Sequence, residues 1–334
     1  MKAMIMTTSG NPDVLTLSEV PNPTIKTPTE ILVKLKAAGI NPIDTKLRQR
    51  GTFYPDDLPA ILGCDGAGIV EAVGYAVKRF KPGDEVYFCA GGLGKAGTGN
   101  YAEYAVVEEH LVAAKPASLS FAEAAASPLV LITAWESLYD RGRLETGQTV
   151  LIQAGAGGVG HIAIQLANIK GAQVATTVGS TDKARLVRQL GADEPILYKQ
   201  TDFVQAVLNW TNGEGVDLAF DTVGSQTFFE SCQAVKIYGD LVTILQPDTS
   251  AGNLKVARNR NLRISLELML TPALMGLKQA QQHQTKILEQ CSTLFDEGKL
   301  TIHLSQTFPL DQAEAAHKAL ETGSTTGKIA LLIS

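Results

Sequence analysis

The chain has 334 residues, 45% of them hydrophobic and 19% charged, enough for two ordinary domains and a large core. A formal net charge of −5 without any dense run of Lys or Arg argues against a nucleic-acid partner and for a small ligand. No uninterrupted apolar run is long enough to span a bilayer, the start Met1-Lys2-Ala3-Met4-Ile5-Met6 is too short for a secretory signal, and a cytoplasmic protein is expected. Cys64, Cys89, Cys232 and Cys291 lack the spacing of a zinc or redox motif and read as buried or idle thiols.

Residues 1 to about 115 alternate short strand patterns with turns, giving expected strands at 30–37, 68–73, 85–88 and 101–107 and a mostly β, barrel-like domain with little helical periodicity. Composition shifts after Lys115-Pro116: 120–139 is Ala-rich and helical, with Pro128 marking a break or a second start. Strands then alternate with helices. Strands are expected at 149–153, 172–178, 195–198, 216–221, 239–245 and 262–268, and helices at 158–170, 181–190, 201–210 and 225–235. Six strands with crossovers imply a doubly wound parallel sheet. A helix near 278–297, a strand near 301–307, a helix from Asp311 and a strand at 328–333 complete the chain.

The apolar run Val150-Leu151-Ile152 leads into Gly155-Ala156-Gly157-Gly158-Val159-Gly160, a G-x-G-x-x-G turn followed at once by a helical pattern. Its apolar face would be Val159, Ile162, Ala163, Leu166 and Ile169, with His161, Gln165 and Asn168 opposite. Gly155 would permit the tight turn, Gly157 the approach of a pyrophosphate, and Gly160 the packing of helix on strand. Strand, glycine turn and helix in that order favour dinucleotide binding over a structural turn.

An NAD site would carry an acid at the end of the next strand, to bond the ribose 2′-hydroxyl. Here 172–178 runs into Gly179-Ser180-Thr181-Asp182-Lys183, where a hydroxyl and an ammonium suit a 2′-phosphate, and NADPH is the expected cofactor. The plainer reading is that Ser180 or Thr181 is only a helix N-cap and Lys183 is solvated. Asp182 counts against NADPH unless, inside the helix's first turn, it points away from the site.

Several ordered motifs accompany the glycine turn: Ala38 to Asp44, Gly63 to Gly74, Lys81 to Val86, Gly99 to Tyr104, Thr133 to Glu136, Phe220 to Gly224 and Gly327 to Ala330. With them the chain resembles the zinc-free branch of the medium-chain dehydrogenase/reductase superfamily, most closely quinone oxidoreductases of the zeta-crystallin type. The resemblance implies an α/β protein with a Rossmann NADPH-binding domain at 125–268 and a GroES-like, mostly β catalytic domain split between 1–124 and 269–334. It also implies a homodimer and an active site in an interdomain cleft. Asn41 then lies near the nicotinamide ribose, Thr133 near the nicotinamide, and Ser180, Lys183 and Tyr198 around the 2′-phosphate. As plain residues they would be an Asn-Pro turn, a mid-helix hydroxyl, a cap, a surface cation and a strand aromatic.

Zinc members of the superfamily carry a Cys where this chain reads Ile40-Asn41 and a His-Glu pair where it reads Cys64-Asp65, so no catalytic metal is expected. Without a Lewis acid the suitable acceptors are already electron-poor: quinones, or the activated double bonds of α,β-unsaturated aldehydes and ketones. One-electron delivery stays open beside hydride transfer. Asn41 and Tyr54 are the candidate catalytic residues, Tyr54 as a pocket wall or hydrogen-bond donor, while Lys46 stands where related enzymes often carry a Tyr. The alternative from another class is a cofactor-binding, crystallin-like or RNA-binding protein with little turnover, which the acidic balance disfavours. Surface association with membranes through 266–277 is disfavoured by the lack of a basic amphipathic face.

Overall fold

A computed structural model describes residues 1–334, which divide into two compact units, 1–129 with 272–334 and 130–271. The sequence reading puts the junctions at 124/125 and 268/269. The helix Phe121–Ala126 therefore belongs to the first unit.

The first unit holds a seven-stranded sheet ordered Leu304–Pro309, Lys328–Leu332, Glu30–Ile40, Asp65–Val73, Glu85–Cys89 and Val112–Ala114, with Tyr104–Glu108 also paired to Glu30–Ile40. Antiparallel pairing of Lys328–Leu332 with Glu30–Ile40 matches Ile329 with Ile40 and so sets Lys328 beside Asn41. The helix Phe121–Ala126 starts from a capping box between Ser120 and Glu123 and buries Ala124, Ala125 and Ala126. Small side chains let it lie close to the long central strand. A Cβ at Gly39 would stand 2.3 Å from the Ala125 carbonyl oxygen.

Two expectations fail in this unit. The strand expected at 101–107 runs from Tyr104 to Glu108 instead, because Asn100 and Tyr101 donate their backbone N–H to the Leu62 carbonyl and Tyr101 turns inward, fully buried. The helix Pro42–Arg50 was not expected at all. Its sequence hides it: Asp44 and Arg48 are polar yet buried, so the helix has no apolar stripe for the eye to find. The start signal is local, with Pro42 in the first turn and the Asn41 N–H donated to the Asp44 carboxylate at 2.9 Å.

The second unit is a six-stranded sheet, parallel at every pairing, in the order Glu194–Leu197, Gln173–Val178, Thr149–Ile152, Val216–Asp221, Val235–Thr243, Arg263–Leu266. The first strand in sequence lies between the second and the fourth, so strand order reverses on either side of it and leaves a crevice at its carboxyl end. Leu151, Ala175, Ile196, Val207, Ala219, Phe228 and Leu241 pack into one buried cluster. The helix Gly160–Lys170 corrects the amphipathic expectation: Gly160 to Ala167 are all buried, His161 and Gln165 included, whereas Ile169 is partly exposed. The polar pair are accommodated because they bond the helix's own backbone, His161 Nδ1 to the Gly157 carbonyl at 2.9 Å and Gln165 Nε2 to the His161 carbonyl at 2.8 Å.

Gly39→Ala should lower stability by about 1–3 kcal/mol, the usual cost of forcing extra volume into a packed seam. Urea or thermal unfolding measures it, and an unchanged midpoint would show that the helix Phe121–Ala126 can move away.

Candidate functional site

At the crevice of the second unit, Ala154 adopts a left-handed conformation (φ 53°) and its N–H donates to Thr177 Oγ1 at 3.0 Å. The Gly155 N–H donates to the Thr177 carbonyl at 3.0 Å and the Gly157 N–H to the Ala154 carbonyl at 2.9 Å, which holds the turn against the neighbouring strand. The three motif glycines differ in what a side chain would meet. A Cβ at Gly155 would stand 2.0 Å from Thr176 Oγ1, and one at Gly160 2.4 Å from the Ala154 carbonyl oxygen. At Gly157 its nearest neighbour, the Ala154 carbonyl oxygen, is 3.1 Å away. Thus the protein itself closes Gly155 and Gly160 to a side chain, whereas at Gly157 a Cβ would meet one tight contact that a small shift relieves. The segment Ala156-Gly157-Gly158-Val159 leads into the helix Gly160–Lys170, and with the Gly157 N–H spent on the Ala154 carbonyl the donors it offers to phosphate oxygens are the Ala156, Gly158 and Val159 amides.

Ser180, exposed, caps the helix Thr181–Gln189 by accepting from the Lys183 N–H at 3.4 Å. Asp182 pairs with Arg185, its side chain 84% exposed. Tyr198 and Lys199 flank Gly179, where a Cβ would stand 3.4 Å from the tyrosine hydroxyl and 3.6 Å from Lys199 Cε. Lys199 was missed by sequence reading; its only signal was a second cation next to Tyr198. Asp202 spends its carboxylate on the N–H groups of Val204 and Gln205 as a helix cap. A cavity of about 610 Å³ is lined by Gln153, Ala154, Thr177, Tyr198, Asp202 and Phe203 among others. Thr133 is buried in the helix Pro128–Trp135, which passes into a π-helical turn at Glu136–Arg141.

In the first unit Asn41 is fully buried and bonded at both ends of its carboxamide. Nδ2 donates to Asp65 Oδ2 at 2.9 Å, and Oδ1 accepts from Lys328 Nζ, which also donates to the Ile40 carbonyl at 2.9 Å. Asp44, three residues on, accepts from the Asn41 N–H, from the Tyr101 hydroxyl at 3.2 Å and from the Cys64 thiol at 3.7 Å. The Tyr101 hydroxyl lies 3.1 Å from His317 Nε2, and Arg48 Nε donates to His317 Nδ1 at 3.3 Å. That donation assigns the His317 proton to Nε2, which donates to Tyr101. Arg48 also binds the Gly10 carbonyl and the Glu321 carboxylate. A single hydrogen-bonded chain therefore runs from Asn41 to Glu321.

Burial dominates the protonation of this cluster. It pushes the Asp44 carboxyl up to about 7 and Asp65 to about 6, against hydrogen bonds and the Lys328 ammonium that pull them back. Burial, and then the Arg48 charge, press His317 down to about 3. Lys328 is itself lowered by burial despite both aspartates, and the Cys64 and Cys89 thiols are pushed well up.

Residues 27–117 match the family described as "Alcohol dehydrogenase GroES-like domain", and residues 190–331 that described as "Zinc-binding dehydrogenase". The chain is 35% identical to a quinone oxidoreductase of Pseudomonas aeruginosa over 97% of each chain. It is 36% identical to a 2-methylene-furan-3-one reductase of Solanum lycopersicum over 99% of this chain and 79% of that one. The structure of Escherichia coli quinone oxidoreductase complexed with NADPH is similar with a TM-score of 0.86, at 31% identity over all of both chains. The chain belongs to the quinone oxidoreductase family.

Family membership places it among medium-chain oxidoreductases and directs attention to two features. The first is the donor set for a metal. No group of three or more His, Cys, Asp or Glu side chains is arranged to hold an ion, and the carboxylates of Asp44 and Asp65 already share a buried ammonium. A zinc ion does not fit those residues. The second is Tyr54, half-buried beside Phe53, which is 48% exposed. The Phe53 N–H donates to the Leu93 carbonyl at 3.2 Å, and the Ala96 N–H to Asp57 at 3.1 Å. The glycine-rich loop 91–99 is thereby tied to the segment carrying Tyr54.

The glycines make a discriminating test. Gly157→Ala should lower the unfolding midpoint much less than Gly155→Ala or Gly160→Ala while still weakening NADPH binding; calorimetry and cofactor fluorescence titration read the two effects. A second prediction concerns pH. Because the folded state holds the Asp44 proton above its unfolded value, folding takes up protons between about pH 4 and 7, and stability falls as pH rises through that window. The stability of the parent relative to Asp44→Asn should therefore decline by up to about 1.4 kcal/mol per pH unit. Urea unfolding across buffers measures it, and a flat difference would mean that Asp44 stays ionised in the fold.

Proposed function

We propose that the protein is an NADPH-dependent reductase of quinones that works without zinc. The observation that carries the cofactor choice is the strand Gln173–Val178, which ends in Ser180 and Lys183 with Tyr198 and Lys199 flanking Gly179, and has no carboxylate free to repel a 2′-phosphate. The NADPH complex of the Escherichia coli relative supports the same choice. In this reading the Ala156, Gly158 and Val159 amides hold the pyrophosphate, Thr133 serves the nicotinamide end, and Ser180, Lys183, Tyr198 and Lys199 serve the 2′-phosphate.

NADPH, when bound, supplies a hydride. The chain's own task is to orient the cofactor and the acceptor and to exclude water. Its buried Lys328 ammonium is engaged with Asn41 and the Ile40 carbonyl and is not offered to polarise a ketone. An acceptor that is already electrophilic meets that limit. The Solanum lycopersicum relative favours a second reading within the same chemistry, reduction of a conjugated enone. A homodimer belongs to the proposal, supported by Arg263–Leu266 at the edge of the parallel sheet with Leu266 62% exposed.

Steady-state assays of a quinone and enone panel with NADPH and NADH test the reading. Quinones should turn over fastest and NADPH should be preferred; enones faster than every quinone would select the second reading, and intact NADPH binding without turnover would sink both. Lys183→Ala and Lys199→Ala should each raise KM for NADPH by about tenfold while changing KM for NADH little, the loss of one charge-assisted contact. Equal effects on the two cofactors would remove the 2′-phosphate assignment. Tyr54→Phe and Tyr54→Ala separate a hydrogen-bond donor, where both are slow, from a wall, where only Ala is.

A further inference from the structure

The strand Thr149–Ile152 is apolar and buried at Val150, Leu151 and Ile152, yet the next residue, Gln153, is a carboxamide only 1% exposed. A buried amide costs free energy unless its hydrogen bonds are made. At Gln153 they are. Nε2 donates to Ser231 Oγ at 3.0 Å, and Oε1 accepts from Thr177 Oγ1 at 2.6 Å. Thr177 Oγ1 accepts in turn from the Ala154 N–H at 3.0 Å, while Ser231 Oγ donates to the Thr227 carbonyl at 2.7 Å.

The two ends of this chain are groups of fixed polarity, a carbonyl that can only accept and an N–H that can only donate, and they set the direction of every bond between them. The hydroxyl proton of Ser231 goes to Thr227, so toward Gln153 its oxygen can only accept. Oε1 therefore faces Thr177 and takes its proton, which leaves the Thr177 lone pairs for Ala154. A flipped carboxamide would set Oε1 against the Ser231 oxygen and deprive the Thr177 proton of its acceptor.

Ala154 needs such a hold. Its φ of 53° lies in the left-handed region that L side chains rarely adopt. On its other side the carbonyl accepts from the Gly157 N–H at 2.9 Å and fits closely over Gly160, where a Cβ would stand 2.4 Å away. Release of the Ala154 N–H would let the residue relax, and the carbonyl that shapes the turn would swing with it. Gln153, Ala154, Thr177 and Thr227 also line the cavity of about 610 Å³, so the chain is part of the wall that a bound nucleotide would meet.

We propose that Gln153 is a positioning residue for the pyrophosphate: by fixing the direction of this chain it holds Ala154 in its left-handed conformation and so aims the Ala156, Gly158 and Val159 amides. The inference rests on the reading of the glycine turn as a pyrophosphate site made above. Gln153 acts through Thr177 and Ala154.

Gln153→Met keeps the length of the side chain and removes both of its bonds. Affinity, by fluorescence or calorimetric titration well below the unfolding midpoint, should fall about tenfold for NADPH and NADH alike, the scale of one hydrogen bond lost from the cradle. Affinity for 2′-AMP, which has no pyrophosphate, should stay as in the parent. Thr177→Val should show the same pattern. Gln153→Met/Thr177→Val should bind NADPH no more weakly than Thr177→Val alone, because the glutamine then has nothing left to hold. Unchanged dinucleotide affinity in a less stable Gln153→Met protein would overturn the proposal, as would equal weakening of 2′-AMP or losses that multiply in the double variant. If Gln153→Met does not fold, Ser231→Ala cuts the chain at its far end, frees the carboxamide to turn and takes its place. If the parent binds neither dinucleotide, the proposed function falls and the chain is tested in the ligand-free protein. Amide hydrogen exchange at Ala154 and Gly157 should then quicken by about tenfold in Gln153→Met with Leu218 unchanged; unchanged exchange at Ala154 would overturn the positioning role independently.

Discussion

The structure of the first unit depends on one seam, the antiparallel pairing of Lys328–Leu332 with Glu30–Ile40. Its register brings Lys328 to Asn41, 287 positions away along the chain. A slip of one residue would turn Lys328 to the opposite face of the sheet and set Ile329 in its place, leaving Asp44 and Asp65 buried without a cation. The long central strand, the helix Pro42–Arg50 and the buried cluster all hang from that alignment.

The two units reach order by different physical routes. The second carries an apolar cluster in its parallel sheet, and Gln153, Asp221 and Thr243, polar and buried, lie at the carboxyl ends of its strands. The first carries Asp44, Arg48, Asp65, His317 and Lys328 in its interior. Each costs desolvation, and each is offset by a neighbour in one continuous chain of donors and acceptors. Such a chain contributes less to stability than apolar packing of the same volume would, and it narrows the ways in which the segment can be assembled.

Local signals carried the second unit. The period of its strands, the glycine spacing and the helix caps are properties of short windows, so 149–153, 216–221 and the Gly155 to Gly160 turn could be read from neighbours within a few residues. Even there the helix Gly160–Lys170 defeated its pattern, since His161 and Gln165 satisfy themselves on their own backbone and need no water. Lys199 was invisible for a related reason: a lone cation gains meaning only once the sheet brings Gly179 against it.

By itself the sequence determined the fold class, the order of strands in the second unit and the glycine turn between strand and helix, because each follows from chemistry repeated along adjacent residues. Only the tertiary structure decided that Pro42–Arg50 is a helix with a polar buried face, that Tyr101 leaves its strand to reach Asp44, and that Lys328 meets Asn41. Those facts depend on which distant groups share a low-dielectric interior, where one carboxylate or ammonium changes the energy of every neighbour. No window of the chain contains both partners of such a contact.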